Sequence, residues 1–226
     1  REYSDKNYRF IHSGFTFKDL LDMNRQEREK LGLLGGIVKY GVHQFMGPNV
    51  KYFAVIRDPV SRILSLYNYI QLDKAEDLYK NIPYEHRKDL KSFVLNLDNN
   101  HTSLQGHNGQ ARLLSGNKIF ETDWDQHLDN GKMEVEEMGN AAIENIKKDF
   151  AFIGTVEQFD VSLVLMKKYL SWKKPLYYIK RNVTKNKEKN IDQETIELIK
   201  DKNQEDIKLF NFVNNQLQNQ IEENKG

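Results

Sequence analysis

The feature that most constrains the fold is a short apolar run that passes directly into a helical pattern. Residues 50–56, VKYFAVI, are typical of a buried strand. Asp58 then stands in the N-cap position with Pro59 as the first helical residue, and apolar residues follow at helical spacing. A buried strand that leads directly into a helix predicts a parallel sheet with helices on its faces.

The same alternation of strand and helix patterns continues along the chain. Residues 8–12 and 150–154 are apolar runs that also predict strands. Helical patterns flank the second of these runs, over 141–148 and after Asp160, which is the expected N-cap. Residues 196–221 predict one or two C-terminal helices, so the chain as a whole indicates an α/β fold.

The chain has no sign of a domain boundary. No repeat of 20 to 50 residues occurs, only four prolines are present, and no Gly/Ser linker divides the sequence. We therefore expect a single domain over residues 1–226. The polar and irregular stretch 71–140 predicts a helix, a long loop and a helix, and loops of this kind often carry substrate contacts.

The composition excludes several classes of protein. The absence of cysteine excludes a disulfide scaffold, a cysteine nucleophile and a thiolate metal site. The six histidines show no metal-ligand spacing, so no metal site is predicted. A net charge of +1 argues against nucleic-acid binding. No apolar run approaches the ~18 residues of a membrane span, so this stretch is not expected to cross a membrane.

One segment departs from this near-neutral balance. Residues 167–189 hold nine Lys/Arg and one acid, a net +8 in 23 residues, so the remaining residues carry −7 against the total of +1. This asymmetry favours a local anionic ligand, although a solvated basic surface is the alternative. Residues 181–185 within the segment could fold as a loop over a phosphate.

The end of the strand at 50–56 is the strongest candidate for chemistry. Arg57 lies at the carboxyl end of this strand, where ligands bind in open α/β sheets, and a guanidinium can grip a phosphate with two hydrogen bonds. The helix start would add unpaired N–H groups, and Ser65, two turns into the helix, could face the same anion. The alternative is that Arg57 pairs with Asp58 or another carboxylate and that Ser65 fills a gap in helix packing.

Histidines and a second arginine complete the candidate residues. His12 at a strand end and His43 just before the clearest strand are the best placed to act as a general base, the alternative being local structural hydrogen bonds. Arg112 lies in a pattern that predicts a helix ending at Gly116. No GxSxG motif and no Gly-rich phosphate loop occurs in the 226 residues.

Four blocks, taken in order, resemble the sulfotransferase family that includes heparan sulfate 2-O-sulfotransferase and its bacterial relatives. Residues 52–69 contain RDPxxRxxSxY, which is similar to the family's motif for the 3′-phosphate of the sulfate donor, 3′-phosphoadenosine 5′-phosphosulfate (PAPS). Residues 108–116, NGQARLLSG, are similar to the family's NxQTRxLxG, and residues 152–159, FIGTVEQF, to its FxGxxExF. Residues 181–189 resemble its basic donor-binding loop. The ordered blocks cover nearly the whole chain.

The resemblance implies both a fold and an activity. The fold would be a three-layer α/β/α arrangement with a central parallel sheet, like that of phosphate-loop NTPases. The activity would be transfer of a sulfuryl group from PAPS to a hydroxyl or amine of a carbohydrate-type acceptor, with adenosine 3′,5′-bisphosphate as product and no metal. Arg57 and Ser65 would hold the 3′-phosphate, and a second set of residues would close over the nucleotide. This second set is Arg181, Thr184 and Lys185.

Under the same resemblance, Arg112 would bind an acidic acceptor or support the loop around it. Family members often carry Gly-His before the Arg57 strand, and that histidine is the acceptor base. This chain has Gly36 where the histidine would fall. The base is therefore expected from elsewhere, with His43 and His12 as substitutes by location, or the activity is weak or lost.

A further departure concerns the start of the chain. The family opens with a strand and a lysine-bearing loop that binds the 5′-phosphosulfate, and both are expected upstream of Arg1, because the sequence begins with arginine and not with methionine. The Lys- and Asn-rich composition without cysteine suggests a cytoplasmic protein of a bacterium or phage. A membrane anchor upstream of Arg1 is the alternative.

Two other functions compete with sulfuryl transfer. A nucleotide or small-molecule kinase could share the phosphate-loop architecture, but it would need an upstream GxxxxGK[ST] and carboxylates for magnesium. A non-catalytic nucleotide-binding protein is the other alternative, and Gly36 makes it plausible.

Overall fold

The computed structural model describes residues 8–11, 17–47, 49–71, 82–97, 106–116, 134–173, 175–178 and 191–224. In these ranges the chain forms four strands and nine α-helices, with 3₁₀ turns at Val42–Phe45, Tyr84–His86 and Val135–Glu137. The strands are β1 (Tyr8–Ile11), β2 (Leu33–Gly36), β3 (Tyr52–Ile56) and β4 (Phe150–Thr155). The helices are α1 (Phe17–Asp22), α2 (Arg25–Glu29), α3 (Pro59–Ile70), α4 (Leu90–Leu95), α5 (Gly109–Ser115), α6 (Met138–Asp149), α7 (Phe159–Tyr169), α8 (Gln193–Asp201) and α9 (Gln204–Glu223). None of these nine helices combines the length and the apolar character needed to cross a membrane.

The four described strands pair as two separate parallel sheets. β1 pairs with β2, and β3 pairs with β4 with a register shift between Tyr52 and Phe53. The parallel pairing of a mixed α/β fold is therefore confirmed. The expected single central sheet is not formed by these four strands, since β2 and β3 share no ladder.

In the connection from β2 to β3, backbone N–H groups bond to a helix and to a side chain and not to a neighbouring strand. The N–H of Tyr40 donates to the carbonyl of Leu113 in α5 (2.8 Å). The hydroxyl of Tyr52 accepts the N–H groups of Gly41 (3.1 Å) and His43 (3.0 Å). Because this backbone is satisfied by a helix and by a side chain, it does not extend the ladder of β3 and β4.

Most of the predicted elements are confirmed. The strands expected at 8–12, 50–56 and 150–154 are β1, β3 and β4, and the two C-terminal helices are α8 and α9. Strand β2 was not expected, because its sequence LLGG is short and half glycine, which is a poor strand signal. Helix α5 ends as predicted at Gly116, whose φ of 76° lies in the left-handed region that favours glycine.

Two other expectations need correction or lie outside the described residues. Helix α7 begins after Gln158, so Asp160 is not its N-cap; it lies in the first turn and accepts a hydrogen bond from the hydroxyl of Tyr178. Within the irregular stretch 71–140, the structure describes α4, α5 and the start of α6. Residues 72–81, 98–105 and 117–133 of that stretch lie outside the described residues.

The long helix α9 is the centre of the core. Leu209, Val213 and Leu217 recur at intervals of four residues and are fully buried, so one face of the helix packs inward. Leu209 and Val213 join a cluster that includes Ile56 and Ile153 near the ends of β3 and β4. Each such side chain contributes about 1.5–3 kcal/mol of burial free energy. This packing fixes the position of α9 against the strand ends, where the candidate site lies.

Candidate functional site

Arg57 follows the last residue of β3, and a side chain from another helix completes its backbone hydrogen bonds. Gln110 at the start of α5 accepts the Arg57 N–H through Oε1 (2.7 Å) and donates from Nε2 to the Arg57 carbonyl (2.9 Å). The last hydrogen bond from the β4 side runs from the N–H of Val156 to the carbonyl of Ile56 (2.8 Å), one residue before Arg57. The glutamine amide therefore makes the bonds to Arg57 that a neighbouring strand would make. The backbone of Arg57 is thus fixed, and the direction of its guanidinium depends only on the side-chain rotamer.

Asp58, the next residue of the turn, forms hydrogen bonds through its N–H, its carboxylate and its carbonyl. Its N–H donates to Oε1 of Glu157 (3.1 Å), its carboxylate accepts the N–H of Ser61 (2.8 Å), and its carbonyl accepts the N–H of Arg62 (2.8 Å). The predicted cap at Asp58 and helix start at Pro59 are confirmed. Because Pro59 has no N–H and those of Ser61 and Arg62 are taken, the first turn has at most one N–H left for an anion. The expectation of a helix start with several free N–H groups is therefore wrong.

Among the described residues, no carboxylate forms an ion pair with the guanidinium of Arg57. Its Nε is buried and makes no hydrogen bond, and no ion pair of Arg57 occurs in the part of the chain that the structure describes. Pairing with Asp58, the alternative raised by the sequence, is not observed, since that carboxylate caps α3. A buried N–H donor without a partner costs free energy, and this favours an anionic ligand at Arg57.

The start of α5 and the start of α9 cap each other. The carboxylate of Asp206 accepts the N–H groups of Ala111 (2.7 Å) and Gln110 (3.4 Å). In return, Oδ1 of Asn108 accepts the N–H groups of Glu205 (3.0 Å) and Asp206 (3.1 Å). Each helix therefore satisfies N–H groups at the N-terminus of the other, which fixes the position of Gln110 relative to the core.

A buried ion pair ties α3 to the same point. Nη2 of Arg62 lies 3.0 Å from Oδ2 of Asp206 and 3.2 Å from Oδ1 of Asn203. Oδ1 of Asn203 also accepts the N–H of Asn108 (2.9 Å). The side chain of Asp206 is 0% exposed and that of Arg62 is 15% exposed, so the two charges meet largely out of water. We call these four residues, Arg62, Asn108, Asn203 and Asp206, the polar junction.

Ser65 lies in the second turn of α3, four residues after Ser61 and on the same face of the helix. It is partly buried. Its contact with an anion held by Arg57 stays a prediction.

His43 lies at the other end of the β3–β4 pair. Its Nδ1 is 2.7 Å from the hydroxyl of Tyr52, which is the first residue of β3, whereas Arg57 follows the last. Strand residues rise by about 3.3 Å each, so the strand puts roughly 16 Å between the two ends. The structure therefore places His43 away from Arg57, and its role as the acceptor base stays a prediction.

The environment of His43 indicates a structural role. The Tyr52 hydroxyl accepts the N–H groups of Gly41 and His43, so its own proton is donated to His43 Nδ1. This assigns the ring proton of a neutral His43 to Nε2. Burial lowers the pKa of His43, nearby Asp149 opposes this change, and Lys148 adds to it. A neutral histidine therefore fits the hydrogen bonds that surround it.

Arg112 is buried, with 6% of its surface exposed. Its Nε donates to the carbonyl of His107 (2.6 Å), and its Nη2 lies 2.9 Å from Nδ1 of the same residue. Of the two roles predicted for Arg112, these contacts favour support of the loop before α5 over a direct contact with the acceptor.

The remaining predicted site residues lie outside the described residues. They are His12, Arg181, Thr184 and Lys185. Gly36, which stands where a histidine base was expected, ends β2 with a φ of 121°, a backbone conformation that favours glycine. Among the described residues, no group of three or more His, Asp or Glu side chains is arranged to hold a metal ion.

Sequence analysis did not name Gln110 or Glu157 as site residues, although the structure places both on the Arg57–Asp58 turn. The signal was present, because Gln110 belongs to the block NGQARLLSG and Glu157 to the block FIGTVEQF. The structure thus brings three of the four quoted blocks together at one turn.

Arg57 follows the carboxyl end of a parallel strand and makes no ion pair with the described residues, and ligands of α/β proteins bind at such strand ends. A family model described as galactose-3-O-sulfotransferase matches residues 38–226 of the chain. The chain belongs to this family, and it is a sulfotransferase. No curated protein and no solved structure matches the chain.

The match confirms the predicted sulfotransferase family and enzyme class. It describes the galactose-3-O branch and not the heparan sulfate 2-O-sulfotransferase subtype. It also sets aside the kinase that the sequence had left as an alternative, since the family acts by sulfuryl transfer to a carbohydrate.

Proposed function

We propose that the protein transfers a sulfuryl group from PAPS to a hydroxyl of a galactose-containing acceptor, and that Arg57 binds the 3′-phosphate of the donor. Membership in the galactose-3-O-sulfotransferase family supports the reaction and the acceptor class. The single observation that carries the donor assignment is the guanidinium of Arg57, with its buried and unpartnered Nε at the end of β3. A phosphate dianion is the chemical group that would satisfy such a donor.

The residues present fit a nucleotide with a 3′-phosphate. Arg57 can donate two parallel hydrogen bonds to phosphate oxygens, and the hydroxyl of Ser65 in α3 can add a third. When bound, PAPS supplies an activated sulfuryl group whose leaving group is a phosphate oxygen. In this proposal the chain's own residues bind and orient the donor, so that an acceptor hydroxyl can attack in line with the bond that breaks.

Other residues also have proposed roles in the reaction. Arg181, Thr184 and Lys185, in the basic segment 167–189, would close over the nucleotide and add positive charge near its phosphates. Arg112 would support the loop that precedes α5. His43 and His12 are the histidine candidates for the base that removes the acceptor proton.

Donor binding can be tested by calorimetry with adenosine 3′,5′-bisphosphate. We expect Arg57→Ala to weaken binding by roughly 10- to 150-fold, because a hydrogen bond to a charged group contributes about 1.5–3 kcal/mol. Arg57→Lys should recover only part of the loss, since an ammonium group cannot form the two parallel bonds. Unchanged affinity in Arg57→Ala would remove Arg57 from the donor site.

A matched control is available on the surface. Arg25 is exposed and pairs with Glu29 of its own helix at 2.7 Å. Arg25→Ala removes the same charge and should leave the affinity for adenosine 3′,5′-bisphosphate within about twofold. A loss as large as that of Arg57→Ala would mean that net charge, and not the position of Arg57, governs binding.

Sulfuryl transfer itself needs a turnover assay. Labelled PAPS should transfer label to an acceptor with a terminal galactose and not to the matching 3-deoxygalactose acceptor. The family description makes the 3-hydroxyl of galactose the expected acceptor position, and label on both acceptors would contradict this position. Donor binding with no transfer to any of a panel of galactose, glucosamine and uronic acid acceptors would instead identify a non-catalytic binding protein, the alternative that Gly36 raises.

A further inference from the structure

We propose that Gln110 is a positioning residue for donor binding: it holds the backbone of Arg57 so that the guanidinium meets the 3′-phosphate, and it acts through Arg57 alone. This inference rests on the proposed function of Arg57. It extends the site to a residue on a different helix, which is joined to Arg57 by two hydrogen bonds of 2.7 and 2.9 Å.

Gln110 satisfies both main-chain groups of Arg57. The N–H and the carbonyl of Arg57 both bond to the same amide. The bonds from the β4 side end one residue earlier, at the carbonyl of Ile56, and Glu157 bonds one residue later, at the N–H of Asp58. Without Gln110, the residue that carries the guanidinium would have no backbone bond between those two points.

The backbone of Gln110 is itself held in place by the carboxylate of Asp206. Its own N–H is capped by Asp206 (3.4 Å), and the next N–H along the helix, that of Ala111, is bonded to the same carboxylate (2.7 Å). Asp206 and Ala111 are fully buried. The amide that holds Arg57 therefore extends from a rigid helix start and transmits its position to the turn.

The chemistry of the Gln110 side chain fits this positioning role. The contact needs one acceptor and one donor at the same end of a side chain that is long enough to span from α5 to the turn. A glutamine amide supplies both. Asparagine has the same amide but is one methylene shorter, and methionine has nearly the same length but neither hydrogen-bonding group. Gln110→Asn therefore tests the length of the side chain, and Gln110→Met tests its hydrogen-bonding groups.

The test measures the binding of two nucleotides by calorimetry. Gln110→Met should weaken the binding of adenosine 3′,5′-bisphosphate by about tenfold, because a displaced guanidinium loses much of its contact while still carrying its charge. The binding of adenosine 5′-monophosphate, which has no 3′-phosphate, should change by less than about twofold. An equal loss for both nucleotides would overturn the proposal, since it would indicate general damage to the fold.

A double-mutant cycle tests whether Gln110 acts through Arg57. In the Arg57→Ala background, adding Gln110→Met should change the affinity for adenosine 3′,5′-bisphosphate by less than about twofold, because the guanidinium that it positions is gone. Independent, additive losses would overturn the proposal. Gln110→Asn repeats the cycle with the amide retained, so the test does not depend on the folding of a single variant.

Gln71→Met is the matched control. Gln71 also donates through Nε2 to a backbone carbonyl, that of Arg87 (2.7 Å), but it lies at the other end of α3. Its substitution should leave both affinities unchanged, and a tenfold loss there would contradict a specific role for Gln110.

The outcomes separate the two proposals. If Arg57→Ala leaves the affinity for adenosine 3′,5′-bisphosphate unchanged, the proposed donor site fails. If Arg57→Ala weakens binding and Gln110→Met does not, the donor site stands and the positioning role of Gln110 is refuted.

Discussion

Asp206 is the residue of the polar junction whose removal we expect to cost the most stability. Its carboxylate is fully buried, pairs with Arg62 at 3.0 Å and caps α5 through the N–H of Ala111 at 2.7 Å. Asp206→Ala removes the partner of a charge that is only 15% exposed and uncaps a helix start in the same step.

The magnitude follows from these contacts. Breaking a buried ion pair by removing one partner costs about 3–5 kcal/mol, and losing a helix cap costs about 1 kcal/mol. The two losses overlap, because the same carboxylate makes both contacts, and Arg62 keeps its bond to Asn203. We therefore expect a net loss of about 4 kcal/mol in the free energy of unfolding. In a chain of this length that loss lowers Tm by roughly 8–16 °C.

Urea denaturation followed by circular dichroism measures this loss. Asp206→Asn should fall between the wild type and Asp206→Ala, since it keeps an acceptor for the Ala111 N–H but lacks the charge opposite Arg62. Asp201→Ala, an exposed aspartate at the end of α8, should stay within about 0.5 kcal/mol of the wild type. A loss below about 1 kcal/mol for Asp206→Ala would refute the reasoning, because the junction would then not hold α5 and α9 together.

Two further substitutions test the packing of β4 and the environment of His43. A Cβ on Gly154 would lie 2.5 Å from Oγ of Ser162, so Gly154→Ala should lower the free energy of unfolding in urea by roughly 1–3 kcal/mol; an unchanged midpoint would contradict this packing. Burial lowers the pKa of His43 below the unfolded value of about 6.5, so the unfolded chain binds its proton first as the pH falls. Stability from this residue is complete above about pH 6.5 and decreases below it. His43→Gln should flatten the dependence of the urea midpoint on pH below about pH 6.5, and an identical slope in both proteins would speak against the assignment.

Local signals predicted the elements that local chemistry determines. The run at 50–56 followed by Asp58 and Pro59 contains its own strand, cap and helix start, and the structure forms all three. Gly116 ends α5 for the same reason, since its backbone conformation is one that glycine adopts readily. These features involve residues within a few positions of one another, and sequence spacing is sufficient to find them.

The contacts that position Arg57 could not be predicted in this way. Gln110 meets Arg57 across 53 positions of sequence, and Asp206 meets Ala111 across 95. No periodicity or spacing rule relates residues so far apart. His43 shows the opposite error: it is near the Arg57 strand in sequence, yet it precedes that strand and therefore lies at its far end.

The arrangement of these contacts explains why separate blocks of the sequence belong to one site. Arg57 is placed by Gln110, Gln110 by Asp206, and Asp206 by the burial of α9 through Leu209 and Val213. The position of the Arg57 backbone is therefore determined by the C-terminal helix as much as by its own strand. A substitution that shifts the start of α9 should weaken the proposed anion binding at Arg57, because Asp206 holds the start of α5 and Gln110 of α5 holds Arg57. A substitution near Glu223, at the other end of α9, should leave the proposed anion binding at Arg57 unchanged, because this end lies beyond these contacts. If Arg57 binds the donor as proposed, stability and donor binding depend on the same buried polar groups, which are those of the polar junction.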